Sequence, residues 1–499
     1  MKIIISEKND LQILQHRINE HQNRRKIWPG EINRISPTQI LIKNPIHSRE
    51  ALFFHANPRY VNISSNIAEL PGFSSSNIDY SFALKSITKD DEYEYDTLWI
   101  GIKCIPPGSF LKINAQFGSL RFEISENIEF ELHSIACDFD PMEILSREIK
   151  QRAEIDNASS INISFSGGCD SLGLLAAARS IGSYPVTAVT WTYDGGSAHE
   201  DLVAARDFTS ALDIRHLIVD IDPAHIFAPL DKNELTPNVS TSGAFHRFKK
   251  IFNSYILEEI GPDTLMLNGH GGDHLYMEPV PIEVIFDVYR QFGWRSAGLT
   301  LRNLTFLYGE NYFRLLNKFI RQRKNKIAQL KFFFNQKEFE KYTWKNTKEK
   351  NKTAKQIHKE RIRQAIYQNS TSSVDRRLLL ATPFTSPSII ASVWNKHPIE
   401  FFDHQKTRIP FKNSMRSFDE SKLLRKSSKG HITGAFQQAL KTKKHEISQM
   451  VTDGLLNSRR ILNTTNVLNG IDASAQGYGG LNPILLKIIC FELMMNAIK

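Results

Sequence analysis

The sequence is poor in cysteine and has no long apolar run. Its four cysteines, Cys104, Cys137, Cys169 and Cys490, show no CxxC or CxxH spacing, so we expect neither a structural zinc site nor disulfides. No stretch of about 18 apolar residues occurs, which argues against a membrane span. The opening MKIIISEKND has an apolar patch too short for a secretory signal. These absences predict a soluble, cytoplasmic protein.

Acidic residues are scarce in one segment of the chain. Residues 321–363 contain 15 Lys/Arg against 4 Asp/Glu, a net charge of +11, while the whole chain of 499 residues carries +10. The basic character therefore belongs to this segment and not to the whole surface. A solvated helical face is the favoured interpretation and a dock for an acidic partner or peptide is the second. A nucleic-acid site is the least favoured of the three, so we expect no nucleic-acid partner.

The chain is too long for one ordinary hydrophobic core, and its pattern changes near residue 140. Before that point, short alternating runs predict a β-rich domain over residues 1–138, with strands at 40–42, 51–54, 97–100, 110–113 and 121–124. After it, strands predicted at 161–165, 186–192, 216–219 and 264–267 alternate with helices, and the chain beyond about 283 looks helical. Residues 139–499 are thus expected to form an α/β domain, a parallel sheet flanked by helices.

A glycine-rich loop follows the first strand of this α/β region. It reads Ser166-Gly167-Gly168-Cys169-Asp170-Ser171 and opens a helix rich in Ala and Leu. Gly167 and Gly168 allow the backbone to approach an anion, and the N–H groups of the helix start can bind it. Ser166 and Ser171 can donate hydroxyl hydrogens to phosphate oxygens. Asp170 would repel phosphate unless a cation lies between them, which implies Mg²⁺.

A second loop, Asn268-Gly269-His270-Gly271-Gly272-Asp273-His274, follows the strand at 264–267. Because ligands bind beyond the carboxyl ends of parallel strands, the two loops are expected to face one cleft. Asp273 would then join Asp170 as a second carboxylate ligand of Mg²⁺. Gly269 and Gly271 would let the backbone lie against a nucleotide. A zinc site at His270 and His274 is the competing interpretation.

The first loop lacks the GK[ST] of a Walker A motif and resembles the SGGxDS loop of the PP-loop ATP pyrophosphatases. That resemblance implies that ATP is bound by its β,γ-pyrophosphate and is split to AMP and pyrophosphate. The pair of loops is similar to the synthetase half of asparagine synthetase, which has acidic residues where His270 and His274 stand here. GHGGDH in this place resembles the lasso-peptide cyclases, the macrolactam-forming branch of the superfamily.

The first domain resembles the glutaminase (Ntn) domain of asparagine synthetases, on the order of the segments 51–54, 63–67 and 102–110. Such domains need a cysteine directly after the initiator Met. Here residue 2 is Lys, and no thiol occurs in the first 100 residues. We therefore expect a degenerate, structural domain.

The resemblance also implies a lysine in the C-terminal lobe that neutralises charge at the reacting oxygens. Lys426 and Lys429 are the candidates, and the sequence does not choose between them. Arg408 is a candidate to bind a carboxylate or phosphate through two N–H groups. Glu200 opens a helix and is expected to face the cleft, and His270 is grouped with the catalytic candidates.

The expected reaction is closure of a lasso peptide. ATP would activate an Asp or Glu carboxylate of a linear, leader-free core peptide, and the peptide's own α-amine would then attack it. A leader peptidase and the precursor peptide are the expected partners. The alternatives are an amide-forming synthetase for a small molecule, of asparagine or β-lactam type, and a tRNA-modifying PP-loop enzyme.

Overall fold

The computed structural model describes residues 2–8, 10–17, 30–89, 94–116, 119–135, 140–193, 197–342, 352–371, 378–415, 433–478 and 482–498. Within these ranges an antiparallel β-rich part is followed by a parallel sheet and then by a mainly helical part. The predicted α/β class, with a β-rich N-terminal part, is confirmed. The boundary predicted between residues 138 and 139 lies outside the described residues and stays a prediction.

The N-terminal part contains nine strands: β1 Lys2–Lys8, β2 Asp10–Arg17, β3 Glu31–Ser36, β4 Gln39–Asn44, β5 Leu52–Ala56, β6 Tyr60–Ser64, β7 Ile102–Ile105, β8 Ser109–Gln116 and β9 Ser119–Glu126. They form two antiparallel sheets, with the strand orders β2-β1-β6-β5-β7 and β3-β4-β8-β9.

Period-two burial explains why the two sheets pack face to face. Ile40 and Ile42 of β4 and Leu111 and Ile113 of β8 are buried, while the residues between them are partly exposed. They share one core with Phe54 of the other sheet. Because successive side chains of a strand point to opposite faces, each sheet presents one apolar face to the other.

Four of the five strands predicted in this part are confirmed, and the one at residues 97–100 is wrong. There the Thr97 hydroxyl donates to the carbonyls of Trp99 and Ile102, and Gly101 has φ 82°. The local side chain-to-backbone bonds and the left-handed glycine turn the chain, so Leu98 and Trp99 are buried without a strand ladder while Ile100 is exposed.

The C-terminal part is built on five parallel strands: β10 Ser160–Ser164, β11 Val186–Thr192, β12 Arg215–Asp220, β13 Thr264–Leu267 and β14 Leu379–Ala381. Their spatial order is β12-β11-β10-β13-β14. The four predicted strands are confirmed. β14 was missed, because three residues are too short to show a period.

This strand order fixes the position of the cleft. The chain runs outward from β10 through β11 and β12, then returns to place β13 on the other side of β10. The connections after β10 and β13 therefore leave the same edge of the sheet in diverging directions. Such a switch point is where open α/β sheets bind ligands.

Helices surround the sheet and form the rest of the chain. Those described are α1 Tyr80–Thr88, α2 Ile128–His133, α3 Pro141–Ile155, α4 Cys169–Ile181, α5 Ser197–Ala211, α6 His246–Glu259, α7 Gly272–Leu275, α8 Val284–Tyr308, α9 Tyr312–Phe333, α10 Gln336–Tyr342, α11 Ala354–Thr371, α12 Pro387–Trp394, α13 Ile409–Ser414, α14 Thr433–Thr442, α15 Lys444–Thr452, α16 Leu455–Ser458, α17 Thr464–Ala475 and α18 Pro483–Asn496. In the described part of the chain, no helix combines the length and apolarity that crossing a bilayer requires.

The two parts of the chain share their cores. Helix α2 directly follows the two N-terminal sheets. Its residues Ile128 and Leu132 are buried in the core formed by α3, α4 and the parallel strands. A second core unites Phe53 and Trp99 of the N-terminal part with α6 and the C-terminal helix α18. The N-terminal part therefore packs against the helices that flank the parallel sheet.

Candidate functional site

The glycine loop connects β10 to α4 with its backbone turned toward the open edge of the sheet. Gly167 has φ 68°, and a Cβ there would lie 3.1 Å from the backbone nitrogen of Ala205 in α5. Only glycine combines this conformation with this close approach. The Ser171 hydroxyl donates to the Gly168 carbonyl over 3.0 Å, which braces the loop from below.

The start of α4 offers donors to an anion. Its N-cap is Gly168, so no side chain caps this helix of 13 residues at the N-cap position. The Ser166 side chain is exposed at the loop's surface. The N–H groups of a helix start, together with the helix dipole, make this end of α4 suited to phosphate.

The second loop lies directly against the first. A Cβ at Gly272 would stand 2.2 Å from Oδ1 of Asp170, and one at Gly269 would stand 3.1 Å from Cβ of Asp170. Gly271 takes φ 100°, and the Asn268 side chain accepts the backbone N–H of His270 at 3.0 Å. Gly269 and Gly272 thus make room for the Asp170 side chain. A contact of Gly269 or Gly271 with adenosine stays a prediction.

Arg408 joins the acidic residues of both loops. It is only 4% exposed, has a left-handed backbone (φ 58°) and stands at the N-cap of α13. Its two terminal nitrogens donate to Asp170 and Asp273, and its Nε donates to Glu278. Sequence reasoning suggested a carboxylate or a phosphate as its partner, and in this structure the partners are three carboxylates.

Asp170 and Asp273 therefore converge, as a two-carboxylate Mg²⁺ site requires. Hard oxygen donors beside a phosphate loop suit Mg²⁺, which takes its other ligands from phosphate and water. The described residues contain no group of three or more His, Cys, Asp or Glu placed to hold a metal by themselves. The donor set fits Mg²⁺, but the Arg408 guanidinium must leave at least one carboxylate before both can coordinate the same ion.

Among the described residues, the two histidines of the second loop belong to no group of three His, Cys, Asp or Glu that could hold a metal. His270 Nε2 lies 3.0 Å from the Ala365 carbonyl, so Nε2–H donates to it. Burial lowers the pKa of His270 despite this hydrogen bond. The ring centroids of His270 and His274 are 5.6 Å apart. Burial therefore favours the neutral form of this imidazole.

Cys169 lies inside the phosphate loop and is not activated. Burial raises the pKa of its thiol to about 11, with the neighbouring Asp170 carboxylate acting in the same direction. Only the thiolate is nucleophilic, so Cys169 serves here as a small apolar side chain.

The loops form one wall of a cleft of about 1180 Å³. The facing wall is largely aromatic. Trp191 at the end of β11 meets Phe248 of α6 edge to face, with centroids 5.0 Å apart, and stacks at 6.1 Å on Tyr193. Lys249 on α6 also lines this wall. Its side chain is exposed, yet desolvation by the surrounding protein lowers the pKa of its ammonium group. Sequence reasoning did not single out this wall.

The remaining predicted residues are only partly described. Glu200 belongs to α5, but the placement of its side chain lies outside the described residues, as do Lys426 and Lys429 altogether. Their roles stay predictions. Lys412 of α13 lines the cleft on the side of Arg408. Ser166, Gly167, Gly168, Asp170, Ser171, Gly269, Gly271, His270 and Asp273 all line the same cleft.

Comparison with known proteins gives a family. The family model for asparagine synthase matches residues 145–493, more than two-thirds of the chain. A solved structure of NMN synthetase from Francisella tularensis is 19% identical over 28% of this chain and 58% of that chain, with a TM-score of 0.22. That match spans less than two-thirds of the synthetase and carries no argument about activity. No curated protein matches the chain. The matched residues include both loops, the aromatic wall and Arg408, and the protein belongs to the asparagine synthase family of ATP-using, amide-forming enzymes.

Proposed function

We propose that this protein closes a macrolactam ring in a lasso peptide. ATP would activate a side-chain carboxylate of the leader-free core peptide, and the peptide's N-terminal amine would then displace AMP. The proposal goes beyond the family in naming the substrate, and the observation that carries it is the size and chemistry of the cleft.

The cleft is larger than one small ligand needs. Pockets for a single small ligand measure roughly 300–1,000 Å³, against about 1180 Å³ here. If ATP lies on the two glycine loops, the aromatic wall of Trp191, Tyr193 and Phe248 remains for the second substrate. A folded peptide presents apolar side chains that can pack against such a wall, whereas ammonia or a free amino acid would leave most of the wall exposed to water.

The proposed reaction has two steps. A carboxylate oxygen attacks the α-phosphorus of ATP, the bond to the bridging oxygen of the β-phosphate breaks, and pyrophosphate leaves. The amine nitrogen then attacks the acyl carbon, the bond to AMP breaks, and the amine loses a proton. Holding both reactants in one bound chain replaces a bimolecular encounter, which is worth several kcal/mol.

Residues of the chain have distinct parts in these steps. The loop from Ser166 to Ser171 would bind the β,γ-pyrophosphate through backbone N–H groups and hydroxyls. Mg²⁺ at Asp170 and Asp273 would neutralise phosphate charge. The neutral His270 would accept the proton of the attacking amine. A lysine, either Lys426 or Lys429, would stabilise the negative charge that develops at the reacting oxygens.

The test is incubation of the purified protein with ATP, Mg²⁺ and a candidate leader-free core peptide. We expect AMP and pyrophosphate, and a peptide lighter by one water, about 18 Da, as amide closure requires. The same peptide with an acetylated α-amine should not close. Ring closure that survives acetylation, or stoichiometric ADP, would contradict the proposal.

The runner-up is an amide-forming synthetase acting on a small molecule. It shares the adenylation step, so AMP release with free amino acids or ammonia, and none with the peptide, would favour it. A gene for a short precursor and one for a leader peptidase next to this gene would favour the peptide.

A further inference from the structure

A set of large apolar side chains projects into solvent from α8, away from the cleft. At Gly293 the backbone leaves helical geometry (φ 81°, ψ −179°). Beyond it Trp294, Leu299 and Phe306 are 71%, 57% and 60% exposed. Single exposed apolar residues are normal, but a set on one element marks an interaction surface.

These residues share their side of the helix with arginines. We define the arginine–aromatic face as Trp294, Arg295, Leu299, Arg302 and Phe306. From 295 to 306 its members recur at spacings of four, three and four, which places them on one helical face. The guanidinium of Arg295 lies 5.4 Å from the Trp294 ring centre, and that of Arg302 lies 5.6 Å from Phe306.

The orientation of this face is fixed by the rest of the helix. Ala297, Thr300 and Leu304, on the opposite side of α8, are buried. A rotation that hid the aromatic side chains would expose these three residues. The exposed face is therefore the solvent-facing side of α8, because the opposite side of the helix packs against the core.

Helix α9 extends the same chemistry. It begins a few residues after α8 ends, and its first turn exposes Phe313 (85%) and Arg314. Over Tyr312–Phe333 the sequence contains seven Lys/Arg and no Asp/Glu. The aromatic side chains thus stand beside a strongly basic helix, and a negatively charged partner complements both.

We propose that the arginine–aromatic face and the start of α9 dock on the surface of an anionic lipid bilayer. Trp, Phe and Leu side chains enter the boundary between headgroups and acyl chains, while Lys and Arg pair with lipid phosphates. This inference concerns a surface outside the cleft and does not depend on the proposed reaction.

The exposure of the individual side chains favours a bilayer over a protein partner. Protein partners bury their anchor residues in packed, complementary pockets. Trp294 and Phe313 instead project from the helices with more than seven-tenths of their surface in solvent. A fluid interface accepts such side chains without a matching shape, and its charge complements the basic helix.

Flotation of the full-length protein with lipid vesicles tests the proposal. The vesicles are phosphatidylcholine alone and phosphatidylcholine mixed with phosphatidylglycerol. We expect binding to the mixed vesicles that weakens as salt is added, and little binding to the neutral ones. The double variants Trp294→Ser/Phe306→Ser and Arg295→Glu/Arg302→Glu should each bind at least about tenfold more weakly.

Matched controls change equally exposed side chains elsewhere. Phe130 and Tyr478 are 76% and 70% exposed, and Phe130→Ser/Tyr478→Ser should float like the wild type. Arg59→Glu/Lys441→Glu is the corresponding charge control. Circular dichroism and thermal unfolding establish that each variant is folded.

Several outcomes would overturn the proposal. One is a wild-type protein that floats with neither vesicle, or equally with both. Another is variants of the arginine–aromatic face that float like the wild type. A dimer in size-exclusion chromatography that these variants dissociate, without any flotation, would assign the face to a second copy of the chain.

Discussion

The substitution Gly272→Ala tests the contact between the two glycine loops. Gly272 begins α7, and its α-carbon lies against the Asp170 side chain. An added methyl group would stand 2.2 Å from Oδ1 and 2.4 Å from Cγ of Asp170. Normal contacts between such atoms are more than 3 Å, so the Asp170 carboxylate must move by about 1 Å.

The expected effect on function is much larger than the effect on folding. Overpacking by one methyl group costs about 1–3 kcal/mol, offset in part by the better helix propensity of alanine. A misplacement of about 1 Å in a phosphate and metal site, however, lowers turnover by about a hundredfold. We therefore expect a folded variant with impaired binding and use of ATP·Mg²⁺.

Thermal unfolding with and without a non-hydrolysable ATP analogue and Mg²⁺ measures the binding. The wild type should be stabilised by the ligands and Gly272→Ala much less so. Gly298→Ala in α8 is the matched control, since a Cβ there meets nothing within 4 Å, and it should respond like the wild type. If Gly272→Ala binds the ATP analogue and Mg²⁺ as tightly as Gly298→Ala, the position of the Asp170 carboxylate beside Gly272 does not contribute to their binding.

Three further predictions concern Arg408 and Lys249 in the site and the buried His358 outside the cleft. Arg408→Met should lower the free energy of unfolding in the absence of ligands by about 3–5 kcal/mol, because three carboxylates lose their cation. In a thermal titration, Mg²⁺ alone should stabilise this variant more than the wild type. Equal responses to Mg²⁺ would show that arginine and metal do not compete. Lys249→Met should lower turnover at least about tenfold while ATP binding is kept, and Arg247→Met, at an exposed position of α6 outside the cleft, should have no such effect. Burial lowers the pKa of His358 from 6.5 to about 4. As the pH falls, the unfolded chain therefore takes up a proton before the folded protein does. The folded protein thus loses, between pH 6.5 and pH 4, stability that it has above pH 6.5. Urea unfolding should show a loss of about 2 kcal/mol between pH 7 and pH 5 that His358→Gln lacks; equal losses would contradict this assignment.

The part of the site that the sequence predicts is the part made of contiguous residues. Both glycine loops can be recognised from their composition and from the strands that precede them. The parallel sheet is predicted by the alternation of strands and helices. Their adjacency follows from strand order, a general rule for such sheets. The reason for Gly272 could not be read from the sequence, because the atom it accommodates lies on Asp170, a hundred residues earlier in the chain.

The aromatic wall was missed for a related reason. Phe248, Lys249 and Phe252 lie at helical spacing and predict one face of α6, but the sequence does not say which element that face meets. Here the face meets the end of β11, where Trp191 stands. A helix face becomes a binding wall only when the sheet edge and the helix are brought together, and that is a property of the tertiary structure.

The position of Arg408 resolves an electrostatic problem that the two loops create. Asp170, Asp273 and Glu278 converge beside a loop shaped for phosphate, and without a cation their mutual repulsion would push the loops apart. The buried guanidinium holds the three carboxylates together in the absence of ligand. When ATP·Mg²⁺ enters, the metal would take over part of this charge. On this argument the same residue would preorganise the proposed metal ligands and then yield them, which is why its removal is expected both to destabilise the protein and to strengthen its response to Mg²⁺.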